Sequence, residues 1–353
     1  MMPSVIPSNK TGPKSAITHS PRLAHNGNRP TQCDPKSCEK VLSDWFGYPV
    51  ILLSSGRAGI NIALKAMGFH RYQSTLRVPA FLSTCVMNAI TPLAFPVGIA
   101  QHGDGMLWYH QFGFQQRHIP SHPNVIEDCA HSFFSTANTG DRKWASDVAI
   151  FSLPKFFDIE GMAGGIIVRN AALEEKLRRI VEDAPKDIPE ARNWMRKTIA
   201  GAFNVEAPLN EKLFVTSAYE LLLQFIRPDR DDLAGLPSST EEIRTIGRAR
   251  RERLQFVVEF FGESAFPTSL LWNYENIMPF GIPYFGISDD RRREEADALL
   301  RDIGIHAGIY RVDVRRDCIN AEYWPCILLP CHQNLPLKRL EEACTIIASY
   351  RDR

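Results

Sequence analysis

The chain opens without hydrophobic periodicity. Residues 1 to about 35 are rich in Pro, Ser, Asn and Thr and cannot bury enough surface to offset their ordering entropy, so they read as a flexible tail. From Cys38 the pattern turns helical, with Val41, Leu42, Trp45 and Phe46 at helix spacing, and Gly47-Tyr48-Pro49 stops it. Strand–loop–helix units follow. Val50 to Leu53 reads as a buried strand, Ser54 to Gly59 as a small-residue turn, and Ile60, Ile62, Ala63, Leu64 and Met67 as the next helix. Val78 to Phe81 and Val97 to Ala100 read as strands around a helix through Val86, Met87, Ala89 and Ile90. Asn124 to Ile126 runs into Glu127-Asp128, Val148 to Phe151 runs into Ser152, and Gly165 to Val168 closes the group. Short apolar strands alternating with helices indicate an α/β fold with a mostly parallel sheet covered on both faces.

A helical region is predicted from Ala171 to about Arg227, broken near Pro185 to Pro189, and a charged helix from Ser239 to Phe261. Beyond it, Gly281 to Ile287 and Cys326 to Leu329 read as strands, with helices over Arg291 to Ile303 and Leu337 to Tyr350. The division is therefore a tail (1–35), a large domain (36–238), and a linker helix with a small α/β C-terminal domain (239–353).

Charge changes the picture by exclusion. In 353 residues, 41 Lys plus Arg stand against 40 Asp plus Glu, so no strong field favours nucleic acid or an anionic membrane. The runs Arg248 to Arg253 and Arg291 to Arg293 read as exposed helix faces. The eight cysteines form no Cys-x-x-Cys pair and no zinc-finger spacing, so no metal is expected and the thiols read as reduced. Long apolar runs and a secretory signal core are absent, and a cytoplasmic location is expected.

Four segments could carry chemistry at the C-terminal ends of the parallel strands. Ser54-Ser55-Gly56-Arg57-Ala58-Gly59 opens a helix with unpaired backbone N–H groups, as a phosphate cradle does and as many plain turns also do. Asp128, in Val125 to His131, ends a buried strand, where an acid needs a partner: a protonated pyridine nitrogen, or the N–H groups of a helix it caps. Lys155, after Phe151-Ser152-Leu153-Pro154 and before Gly164-Gly165, has the apolar setting that lets an amine lose its proton, although most such lysines are surface residues. Pro79 to Cys85 is a strand-to-helix junction able to present a side chain over a flat ligand.

In this order the segments resemble the pyridoxal phosphate (PLP)-dependent sugar aminotransferases of the DegT/DnrJ/StrS family. The likeness lies in Ser55-Gly56-Arg57-Ala58, Val78-Pro79-Ala80-Phe81 with Asn88-Ala89-Ile90, Val125 to His131, Phe151 to Lys155, Gly164-Gly165 and Ile327 to His332. The resemblance implies a fold type I transferase that acts as a homodimer and moves an amino group from glutamate to a nucleotide-linked keto sugar, as in polysaccharide or natural-product synthesis. It places Lys155 as the Schiff-base lysine, Asp128 on the pyridine nitrogen and His131 near the phenolic oxygen. Ser152, Ser55, Gly56 and Arg57 would hold the phosphate, and Ser83 stands where relatives stack an aromatic ring. Departures are visible. Lys155 follows Ser152 by three residues where the common pattern has five, putting Phe157 at the usual lysine position, as in a Ser-Leu-x-Lys branch. The stretch from Val97 to Val125 is short by about one strand–helix unit, and Arg57 replaces Thr. Two other readings are a non-catalytic relative serving as a regulatory or assembly partner, and a different PLP reaction such as dehydration.

Overall fold

The computed structural model describes residues 17–21, 34–117, 122–134, 146–159, 162–184, 190, 193–194, 226–272 and 274–352. Helix α1 (Pro35–Phe46) is capped by the Asp34 side chain and ends on Gly47, whose φ of 72° is the left-handed turn that glycine adopts freely. It leads into β1 (Val50–Leu53), α2 (Gly56–Ala66), β2 (Thr75–Val78), α3 (Thr84–Ile90), β3 (Phe95–Gly98) and β4 (Gly105–Tyr109). Then come β5 (Val125–Asp128), β6 (Val148–Ser152), β7 (Gly164–Val168) and α4 (Ala171–Glu182). The remainder of the predicted 171–227 helical region lies largely outside the described residues.

The seven strands form one sheet in the order β1-β7-β6-β5-β4-β2-β3. Strand β7 is antiparallel to both β1 and β6, and the other pairings are parallel. Alternation on the central strands builds two cores. Ile51, Leu53, Val148 and Ile150 pack with α2 and α4, whereas Leu52, Ala149 and Phe151 pack with α1 and a long helix α5 (Thr240–Phe261). Each fully buried Ile or Leu contributes about 1.5–3 kcal/mol, so both faces hold the sheet firmly. Because β1, β5 and β6 run in the same direction, Ser54, Asp128 and Ser152 emerge at one edge of the sheet.

Several expectations are corrected. The sheet is not one strand short: Met106 to Tyr109, all buried, supply the missing strand, and among the described residues a 3-10 turn over Gln111–Gly113 follows it in place of a helix. Strands β2 and β3 lie two to three residues before their predicted positions, because Pro79 cannot donate to a ladder and Phe81 takes a φ of 58°. The C-terminal unit holds β8 (Gly281–Tyr284), α6 (Asp290–Asp302), β9 (Ile309–Asp313), β10 (Tyr323–Pro330) and α7 (Leu337–Ser349). Its three strands pair antiparallel in the order β8-β10-β9, one strand more than predicted. Arg250, Arg253 and Arg293 are buried, not on exposed faces. Arg250 falls in register with Ile243, Gly247, Leu254 and Val257 on the core side of α5. Cys38 is disulfide-bonded, against the expectation of reduced thiols throughout. Within the predicted tail, Ile17 pairs with Ile305 in a parallel bridge, so residues 17–21 are docked.

Candidate active site

Strand β5 delivers Asp128 to the sheet edge in a buried position. Its Oδ1 accepts from the Ala130 N–H at 2.9 Å, and among the described residues no donor reaches the other oxygen. Burial raises the carboxyl above its ordinary range, and the Lys155 ammonium opposes that rise. A cationic donor brought to the unused oxygen would restore the ionised form.

Lys155 rides on a tight turn after β6, in which the Phe156 and Phe157 N–H groups both donate to the Leu153 carbonyl at 2.9 Å. That turn explains the unusual lysine spacing. Phe157 is fully buried and meets Phe133 edge-on at 5.1 Å, so the position five after Ser152 belongs to the core, and the amine is presented from 155. Arg250 holds the turn from behind, donating to the carbonyls of Lys155 and Pro279 at 3.1 Å each and stacking on Phe156 at 4.9 Å. The Lys155 amine lies 5.7 Å from the Phe280 ring centre. Burial lowers its pKa, Arg57 adds to the effect, and Asp128 and Cys85 oppose it. Three segments of the sequence reading thus converge electrostatically on one amine.

The first turn of α2 is the third component. Ser55 is buried and spends its hydroxyl on the cap, accepting from the Ala58 N–H at 3.1 Å, so its contribution is to the turn. The helix start leaves N–H groups without intrahelical acceptors, which suits an anion. Glycine is required opposite it: a Cβ on Gly164 would lie 2.5 Å from the Gly56 nitrogen and 2.6 Å from the Phe151 carbonyl. Ser152 stands half-buried at the end of β6, beside this junction.

His131 stacks parallel on Phe112 at 5.2 Å and on Phe280 at 4.7 Å. Burial, then Lys155 and His19, push its pKa well down, so the ring is neutral. Ser83 begins α3, exposed, with its hydroxyl 3.1 Å from the Cys85 sulfur, and Cys85 is the residue of that segment coupled to Lys155. Sequence reasoning missed Cys85, Phe280, Arg250 and His19. Of these, only Arg250 left a usable signal, its helical register. Among the described residues, no His, Cys, Asp and Glu cluster could hold a metal ion, and no helix is long and apolar enough to cross a membrane.

A family model described as "Putative PLP-dependent aminotransferase" matches residues 45–185. No curated protein matches the sequence. The fold is similar to DesV of S. venezuelae (14% identity, 93% of this chain and 92% of that one, TM-score 0.59). It is equally similar to a DegT DnrJ EryC1 StrS aminotransferase from Brucella abortus (14%, 93% and 92%, 0.60). Helicobacter pylori PseC, an aminotransferase involved in the biosynthesis of pseudoaminic acid, matches over 95% of this chain and 99% of its own (12% identity, TM-score 0.60). The fold is therefore that of the fold type I PLP-dependent aminotransferases, the group that the ordered motifs resemble.

Proposed function

We propose that the chain is a PLP-dependent aminotransferase that takes an amino group from glutamate and delivers it to a keto sugar, in nucleotide-linked form, as a homodimer in polysaccharide or natural-product synthesis. The observation that carries this reading is the buried Lys155 amine coupled to the buried, half-satisfied Asp128 carboxylate at the sheet edge where α2 begins. The residues fit the cofactor in three places. Asp128 has an oxygen available for a pyridinium N–H. The first turn of α2, with Ser152 and Arg57, offers donors and positive charge for a phosphate. The Gly164–Gly56 approach leaves no Cβ in that junction.

When bound, PLP supplies the electron sink that acidifies a carbon next to nitrogen. The chain does the rest. Lys155, its pKa lowered by burial, gives up its proton more readily than an ordinary lysine, which suits it to act as nucleophile and afterwards to move a proton at its Nζ. Asp128 would accept from a protonated ring nitrogen through the oxygen that Ala130 leaves open. Neutral His131, fixed between Phe112 and Phe280, is limited to donating or accepting a hydrogen bond. The phenylalanines behind Lys155 exclude water from the amine. The division into 36–238 and 239–353 fits this scheme, with the C-terminal unit lending Phe280 from just before β8.

The test is spectroscopic. Protein loaded with PLP should show a band at about 410–430 nm that Lys155→Ala abolishes, and glutamate should bleach it. Asp128→Asn should retain the fold and the band but lose most of the bleaching rate. A protein that stays colourless with added PLP would return the non-catalytic reading, and full activity in Asp128→Asn would remove that residue from the scheme.

A further inference from the structure

The N-terminal segment 17–21 crosses the C-terminal unit and reaches the cleft. Its anchors are backbone contacts: the Ile17 N–H donates to the Gly304 carbonyl at 2.8 Å and the His306 N–H to the Ile17 carbonyl at 2.8 Å. At the other end, the Asn334 side chain donates to the Pro21 carbonyl at 2.7 Å. Between them, His19 Nε2 donates to the Leu328 carbonyl at 2.8 Å, which fixes the tautomer with its proton on Nε2. The His19 ring lies 5.6 Å from Phe280 and 6.0 Å from Tyr310. Phe280 is the ring against which His131 stacks and near which Lys155 lies. The segment thus adds the His19 ring to the His131 and Phe156 rings that already contact Phe280.

We propose that the segment Ile17–Pro21 is a built-in wall of the active-site cleft, and that His19 is a positioning residue that keeps water from Phe280 and so from the Lys155 amine. The inference rests on Lys155 being the reactive amine, as proposed above. The charged and titratable groups around Lys155 are Asp128, Cys85 and Arg57, with His131 beside them, and around His19 they are Asp297, Arg250, His306, His332 and His131. His19 is not itself among the groups coupled to the Lys155 amine, so a change in Lys155 protonation on replacing it would report water.

The experiment uses the full chain without cofactor. Trinitrobenzenesulfonate modification of Lys155 is followed by peptide mass spectrometry across pH, in wild type, His19→Ala and His19→Phe. His19→Ala should move the midpoint for Lys155 upward, towards that of an ordinary lysine, and His19→Phe, which refills the space, should return it. Hydrogen exchange at the His306 amide reports whether the segment stays docked. An unmoved midpoint in His19→Ala overturns the proposal, as does an equal shift in both variants, which would trace to general loosening. Failure of the PLP reading would appear separately, as an absent visible band, and would leave this profile readable.

Discussion

Gly164→Ala probes the seam between β7 and the start of α2. The added Cβ would sit 2.5 Å from the Gly56 nitrogen, 2.6 Å from the Phe151 oxygen and 2.7 Å from the Ser55 carbonyl carbon, where ordinary contact is 3.4–4 Å. All three atoms are backbone, on two separate segments, so no side chain can rotate away. Relief requires moving β7 away from the α2 turn by nearly the full overlap. Overpacking of this kind costs about 3 kcal/mol, the upper end of the usual range, because the surroundings cannot yield locally. That is roughly a hundredfold in the folding constant, and a melting temperature lower by roughly 4 °C for a chain of this size. The displaced turn is also the proposed phosphate cradle, so PLP affinity should fall in parallel. Circular dichroism melting and PLP titration measure the two effects. Gly98→Ala is the control, since its Cβ would meet only the Gln101 side chain, at 3.6 Å, and it should change stability by less than about 0.5 kcal/mol. A Gly164→Ala protein with unchanged melting and unchanged PLP affinity would refute the reasoning.

Arg250→Ala should destabilise by about 3–5 kcal/mol in denaturant titration, because it opens a cavity and leaves the Lys155 and Pro279 carbonyls unpaired, whereas Arg248→Ala on the exposed face should have little effect. Acid should loosen the docked N-terminal segment. Burial holds the His19 imidazole down at about 4 against 6.5 for a free one, so the unfolded chain takes the proton first. The stability from His19 is complete above pH 6.5 and is lost as pH falls from there towards 4, by up to about 3 kcal/mol. His19→Phe should flatten that part of the pH profile, and an unchanged slope would contradict it.

Much of the architecture was legible because burial leaves simple marks. Val50 to Leu53 and Val148 to Phe151 are buried on both sides and read as continuous apolar runs. Strand β9 left no such mark: Ile309, Tyr310 and Arg311 are exposed, and only its last residues are buried. Strand β4 was apolar enough to read, but the short stretch after it, where the described residues hold only a 3-10 turn, made the whole unit look deleted. Asp128 and Lys155 were legible as a pair only through their companions, since each alone has an ordinary explanation. The docking of Ile17 to Pro21 was not legible, because apart from His19 the segment is held through its own main-chain groups, which carry no side-chain signature. Arg250 carried a mark that its charge concealed: the run Arg248 to Arg253 reads as exposed, although helical register aligns Arg250 with Ile243, Gly247, Leu254 and Val257.

The central claim is that the Lys155 amine and the Asp128 carboxylate serve one pyridine ring. Borohydride reduction of the PLP-loaded protein, followed by peptide mass spectrometry, tests it most directly. A single phosphopyridoxyl group on Lys155 is the expected result. A label on another lysine, or none in protein saturated with PLP, would contradict it.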